Sequence, residues 1–304
     1  MARPLKVGVQ LPEVEYVVTW RQLLDMASTA EEIGLDSVWV GDHLLYRDDG
    51  KPTRGPWEAW TTLAALAAVT RRVELGPLVA STSFHSPAMI AKKAATIEEI
   101  SGGRLVLGLG AGWNRPEYEA YGFPFDHRVS RFEEAFTIIR ELLRTGRSDF
   151  HGTYHSVADC ELLPRGPRPS GPPLMVGSEG PRMLAITLPH VDAWNAWFTW
   201  FGNTPDGYRA TRQRIDEACR LAGRDPVEVA RTVALFVAFP GAVGRSLGDL
   251  AEADVEPISG EPGVLAGRLR EFAEEGVAHV QLVLDPIGEP TIRALRATLE
   301  HLDA

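Results

Sequence analysis

Cysteine is scarce: Cys160 and Cys219 are the two among 304 residues. Two distant cysteines exclude a disulfide framework and fit a reducing, cytoplasmic setting. Lysine is scarce as well. Lys6, Lys51, Lys92 and Lys93 are the four, and the formal charge is −10. A nucleic-acid footprint needs clustered basic residues, so no nucleic-acid partner is expected. Arginines scattered along the chain still allow a small anionic ligand. No apolar run approaches the ~18 residues of a membrane span, and no membrane partner is expected. The opening Met1–Lys6 carries no long apolar stretch, so no export signal is read. Walker and zinc-protease patterns are also missing.

What is present is an ordinary globular composition, with 44% hydrophobic and 24% charged residues, which excludes a disordered chain. Apolar strands and amphipathic helices alternate. Strands are expected at 7–11, 37–40, 73–79, 105–110, 174–176, 193–195, 229–239 and 277–284. Helices are expected at 23–33, 57–69, 87–101, 128–145, 182–188, 205–221, 263–275 and 291–302. Thr19 and Ser86-Pro87 open two of them, and Gly34 and Gly223 close two. Residues 46–55 and 240–260 read as polar loops. Residues 147–173, rich in Gly, Pro and His, read as an excursion with at most a short hairpin.

Parallel neighbours need crossovers, so alternating β and α elements imply a parallel sheet. Eight such units in one chain point to a single α/β domain, a (β/α)8 TIM barrel with an insertion at 147–173. A doubly wound sheet is the alternative. It usually carries a Gly-rich fingerprint after strand one, where this chain has Gln10-Leu11-Pro12-Glu13.

Barrel active sites lie at the C-terminal ends of the strands. That rule selects Gln10, Asp42, His43, Leu78 to Ser81, Ala111 to Asn114, Gly177, Ser178, Gly180, Asn195, Trp197 and Trp200. Asp42-His43 places two titratable groups side by side, and a histidine moves protons near neutral pH. Gly177-Ser178-Glu179-Gly180-Pro181-Arg182 leads into a helix and is either a phosphate-binding turn or a plain βα turn. Arg182 adds charge there, and Glu179 opposes it. Gly108 and Gly110 read as flat backbone for a ring system. His151 and His155 stand four apart without helical context or a third ligand, so no metal is expected. Trp39 and Trp194 fall within strands and read as core, while Trp113, Trp197 and Trp200 fall on the rim.

These pieces, in this order, resemble the bacterial luciferase-like monooxygenase family in its coenzyme F420-dependent oxidoreductase branch. The resemblance is carried by Ala30-Glu31-Glu32-Ile33-Gly34-Leu35-Asp36-Ser37-Val38-Trp39 leading to Asp42-His43, and by Leu75-Gly76-Pro77-Leu78-Val79 before His85-Ser86-Pro87. Ser101-Gly102-Gly103-Arg104-Leu105 leading to Trp113, Pro173 to Gly177, and Asp192-Ala193-Trp194-Asn195 complete it. The resemblance implies F420 (alternatively FMN) over the barrel mouth, with a non-proline cis peptide at Leu78–Val79 behind its ring. It implies Asp42 at the ring edge, Ala111 and Gly112 beside the cofactor, and Gly177, Ser178 and Gly180 at its phosphate. His43 becomes the catalytic acid/base. Sugar-phosphate dehydrogenases of the family carry a catalytic Glu where this chain has Trp113, so a small hydrophobic substrate is expected instead. A reduced-FMN monooxygenase and a non-catalytic flavin-binding protein are the competing functions. A homodimer through the helices at 57–69 and 86–100 is also implied.

Overall fold

The computed structural model describes residues 3–47, 50–244 and 255–304. Residues 48–49 and 245–254, parts of the two expected polar loops, lie outside the described residues. In chain order the elements are β1 (Lys6–Gln10), α1 (Trp20–Ile33), β2 (Ser37–Val40), α2 (Ala59–Val69), β3 (Glu74–Pro77), β4 (Ala80–Ser81) and α3 (Pro87–Ser101). Next come β5 (Leu107–Gly110), α4 (Arg115–Tyr121), α5 (Arg128–Thr145), β6 (Arg147–His151), β7 (Ser156–Glu161), β8 (Leu174–Gly177) and α6 (Pro181–Thr187). The chain finishes with β9 (Ala193–Ala196), α7 (Pro205–Leu221), β10 (Ala230–Ala238), α8 (Pro262–Glu274), β11 (Val277–Asp285) and α9 (Glu289–Asp303).

Nine strands form one parallel sheet in the order β3-β2-β1-β11-β10-β9-β8-β5-β4. β3 and β4 are two halves of one stave, split by a bend at a cis Leu78–Val79 peptide. A parallel bridge between Leu75 and Leu105 spans the gap from β3 to the β5 stave. The result is a nearly closed eight-stave TIM barrel, as the alternation predicts. The third stave, expected at 73–79 with an interruption at Gly76-Pro77, is indeed interrupted, β3 ending at Pro77 and β4 resuming at Ala80.

Local chemistry explains the elements. The Thr19 side chain accepts from the Gln22 backbone, and the Gln22 side chain accepts from the Thr19 N–H, a reciprocal cap on α1. Leu23, Met26, Ala27, Ala30 and Ile33 then bury one face, and Gly34 at φ 94° ends the helix. β2, β5 and β9 are buried along their whole length, as strands covered on both faces must be.

The insertion is the expected short hairpin, β6 against β7. It is fastened to the barrel's outer wall. Glu134 of α5 accepts the backbone N–H groups of Thr153, Tyr154 and His155 at 2.8, 2.7 and 2.8 Å. Arg168 pairs with the fully buried Glu98 of α3. No helix among the described residues is long and apolar enough to cross a membrane.

Candidate active site

β2 delivers Asp42 and His43 at its C-terminal end. His43 Nδ1 lies 2.9 Å from Glu117 Oε1. Glu117 sits on α4, is 1% exposed, and its Oε2 accepts the N–H of Leu44 at 2.8 Å and of Leu45 at 3.4 Å. A second buried carboxylate, Glu13, accepts from Gln10 Nε2 at 2.7 Å and from the Tyr46 hydroxyl at 3.0 Å. The rings of Tyr46 and Trp113 stand 4.9 and 5.5 Å from the His43 ring. Burial disfavours charge on His43 and is the largest single influence. The Glu117 bond and the charges of Glu13, Glu117 and Asp42 together outweigh it and raise the imidazole above its ordinary 6.5.

Asp42 is buried, and its Oδ2 accepts the Ser81 N–H at 2.9 Å. The same oxygen lies 3.4 Å from His85 Nε2. Trp60 Nε1 approaches His85 Nε2 at 3.1 Å, and Lys93 Nζ stands 3.2 Å from His85 Nδ1. Glu58 joins Asp42 and His85, an atom of each lying within 4.8 Å of the others, and Lys93 supplies positive charge. Burial pushes the Glu58 carboxyl up, but bonds from Thr61 and Trp60 and the Lys93 charge hold it below its usual range.

The bend between β3 and β4 pushes Val79 toward the mouth, where it is half-buried, whereas Leu78 is buried. Gly108, Gly110 and Gly177 face Val79. A Cβ on each would meet a Val79 carbon at 2.8, 2.9 and 3.2 Å. Gly108 and Gly110 are therefore not bare backbone for a ring, as the sequence reading had it. They are the recess that seats Val79. Gly112 has φ 74°, and a Cβ there would lie 2.1 Å from the Tyr118 hydroxyl, so only glycine fits. The Tyr118 hydroxyl donates to the Ala111 carbonyl at 2.7 Å, and Arg128 donates to the Gly112 carbonyl at 2.7 Å.

Gly177, Ser178 and Gly180 are half-buried on the turn into α6. The Ser178 carbonyl accepts from Trp194 Nε1 at 2.7 Å. Glu179 pairs with Arg214 at 3.0 Å, and Arg182 pairs with Glu133 at 2.8 Å. Arg182 therefore does not offer the turn the charge expected of it. Trp39 and Trp194 are fully buried, as core residues. Trp113 is 37% exposed beside His43. Trp197 and Trp200 follow β9, half-buried against the apolar core, and no ring contact among the described residues joins them to Trp113. His151 and His155 lie on the hairpin, where His151 Nδ1 bonds the Ser156 hydroxyl at 2.8 Å.

Sequence reasoning missed Glu117, Glu13, Tyr46, His85 and Lys93. Glu117 lies 74 residues from His43, on a seven-residue helix too short for a periodic signal. The Pro116 and Gly122 that bracket that helix were the available sign.

Residues 5–240 match the profile of the luciferase-like monooxygenase family. The chain is 37% identical over 173 residues to pyrimidine monooxygenase RutA of Cronobacter sakazakii (strain ATCC BAA-894), covering 55% of this chain and 50% of that protein. It is 37% identical over 183 residues to the F420-dependent glucose-6-phosphate dehydrogenase of Amycolatopsis mediterranei (strain U-32), covering 58% and 53%. The chain thus spans about half the length of these curated relatives. An F420-dependent secondary alcohol dehydrogenase, solved with an F420-acetone adduct, superposes with a TM-score of 0.81 at 19% identity over 99% of both chains. The coenzyme F420-dependent tetrahydromethanopterin reductase from Methanopyrus kandleri gives a TM-score of 0.78 at 19% identity over 98% of this chain and 99% of that one. At such identities the likeness shows the fold.

Proposed function

Because the chain belongs to the luciferase-like monooxygenase family, we propose that it is an oxidoreductase that binds coenzyme F420 at the barrel mouth and transfers a hydride to a small, largely apolar substrate. The observation that carries this reading is His43, a largely buried imidazole biased toward its charged form by carboxylates at a strand end. The reduced deazaflavin supplies the hydride when bound. His43 supplies the proton that the substrate must also gain. Val79 would form the apolar floor under the ring, Asp42, pinned by the Ser81 N–H, would meet its edge, and Ala111 and Gly112 would lie beside it. Gly177, Ser178 and Gly180 offer backbone to the cofactor phosphate, with Glu179 engaged by Arg214. Trp113, Trp197 and Trp200 line the substrate space and exclude water.

A sugar phosphate, named for the Amycolatopsis relative, fits this mouth poorly. Asp42, Glu13 and Glu117 surround His43 with negative charge, and Trp113 presents an apolar ring. Anaerobic titration with reduced F420 and with reduced FMN tests the reading. Micromolar binding of F420 supports it, and micromolar binding of FMN alone sinks it.

Likeness to the RutA monooxygenase favours a second reading, a reduced-FMN monooxygenase. Oxygen uptake coupled to an added flavin reductase supports that, and no uptake across a substrate panel counts against it. A chain that binds cofactor yet never turns over is a flavin-binding protein. Trp57, Val69, Met89 and Ile100 are exposed on or beside α2 and α3, which supports a homodimer through these helices. A monomer in sedimentation at micromolar concentration refutes it. Both cysteines are unpaired, in keeping with a reducing, cytoplasmic setting.

A further inference from the structure

We propose that Glu117 is a positioning residue for His43, whose buried carboxylate keeps a hydrogen on Nδ1 and leaves Nε2 as the ring's working atom. The proposal rests on His43 acting at the mouth, as argued above. A carboxylate only accepts, so the Nδ1 that stands 2.9 Å from Glu117 Oε1 must donate. Glu117 cannot turn away. It is 1% exposed, and its second oxygen is held by the Leu44 N–H at 2.8 Å. Leu44 is the residue after His43, so one carboxylate clamps both the imidazole and the backbone that carries it. α4, opened by Arg115-Pro116 and closed by Gly122, holds the carboxylate in place.

The other charged neighbours are committed elsewhere. Glu13, after β1, accepts from Gln10 and Tyr46, and Asp42, on the same strand end, accepts from Ser81. Tyr46 and Trp113 cover His43 with ring surface. Nε2 has no hydrogen-bond partner among the described residues. The neutral ring therefore carries its lone pair at Nε2, and the protonated ring carries its exchangeable N–H there. One atom both gives and recovers the proton. The opposite tautomer sets the Nδ1 lone pair against a carboxylate, and the two repel.

Glu117→Gln keeps the shape and discriminates. The Leu44 N–H still requires an acceptor, so the amide oxygen turns to Leu44 and the amide NH2 turns to Nδ1. His43 must then accept at Nδ1 and carry its hydrogen on Nε2. In 15N NMR of histidine-labelled, cofactor-free protein, the neutral wild-type ring is expected to show Nδ1–H and bare Nε2. E117Q is expected to show the reverse and to titrate at lower pH. In turnover, kcat is expected to fall about 100- to 10,000-fold with KM little changed, as for an Asp-to-Asn change behind a catalytic histidine. A wild-type ring with its hydrogen on Nε2 overturns the proposal, even if E117Q does not fold. So does an E117Q ring with unchanged tautomer and titration. The spectrum needs no cofactor, so failure of the F420 titration leaves this proposal standing, and a reversed tautomer leaves the F420 reading standing.

Discussion

His43 and His279 are both largely buried in one barrel, yet their surroundings drive them in opposite directions. His279 lies inside the barrel on β11, its Nε2 2.7 Å from the Ser37 hydroxyl, which also accepts from Trp39 Nε1 at 2.7 Å. Its hydrogen-bond partner is a neutral hydroxyl, and no carboxylate acts on it to favour charge. Burial, helped by the Lys6 charge, pushes its titration down to about 3. His43 meets the same desolvation but faces Glu117, Glu13 and Asp42, and its proton is held. Burial sets the stakes, and the neighbouring charges decide the sign. The interior holds a ring that burial drives toward its neutral form, while the ring at the mouth is biased toward its charged form.

The largest expected effects divide the two residues by kind. His43→Ala lowers turnover by about 100- to 10,000-fold, the usual contribution of a general acid. His279→Ala leaves the kcat of the folded fraction intact and costs about 2–5 kcal/mol, as other large-to-small core changes do. Turnover and urea unfolding on both variants check this. Comparable losses of kcat in the two would end the distinction.

Next comes pH. His43 is raised in the folded state, so its contribution to stability is present below about pH 6.5. It is lost as pH rises through the higher folded value. His279 is lowered to about 3, so its contribution is present above pH 6.5 and is lost as pH falls toward 3. His279→Gln is therefore expected to make the acid-side loss of stability shallower, and His43→Gln to flatten the alkaline side. Urea midpoints between pH 4 and 9 show whether the slopes change in that sense. Turnover supported by protonated His43 falls over the same alkaline range.

Smaller effects separate the interior from the rim by space. A Cβ at Gly8 would lie 1.9 Å from the Ser37 hydroxyl, so Gly8→Ala displaces the partner of His279 and costs about 1–3 kcal/mol. Gly180→Ala meets nothing within 4 Å, and its stability stays within about 0.5 kcal/mol of the parent. Equal melting shifts for the two would contradict the packing described. The slightest effect is expected from Lys6→Gln. Removing that half-exposed charge raises the His279 titration a little, which NMR can follow.

Periodicity and caps made the staves, the outer helices and the hairpin legible in the sequence. Thr19 and Gly34 mark α1 because their chemistry is local. Asp42, His43 and Trp113 were legible as candidates because the strand ends of a parallel barrel are where a site is expected. The partners of His43 were not. Glu117 reaches it across 74 residues, and Glu13 sits in a turn noticed only for lacking a glycine fingerprint. The interior glycines misled for a related reason. A glycine marks close approach but does not say by what, and here Val79 is what approaches.

Val79 and its three facing glycines have a genetic consequence. They occupy one volume, so their substitutions should not be independent. In a combinatorial library Gly110→Ala fails alone, because its new carbon meets a Val79 methyl at 2.9 Å. It should be rescued by Val79→Ala, which removes that methyl, while the remaining neighbour, the Gly177 carbonyl, stays at 3.8 Å. Selection on such a barrel would then see positions 79 and 110 as a single heritable pair, whereas Gly108 stays fixed by the Pro77 carbonyl, 2.4 Å from where its Cβ would lie.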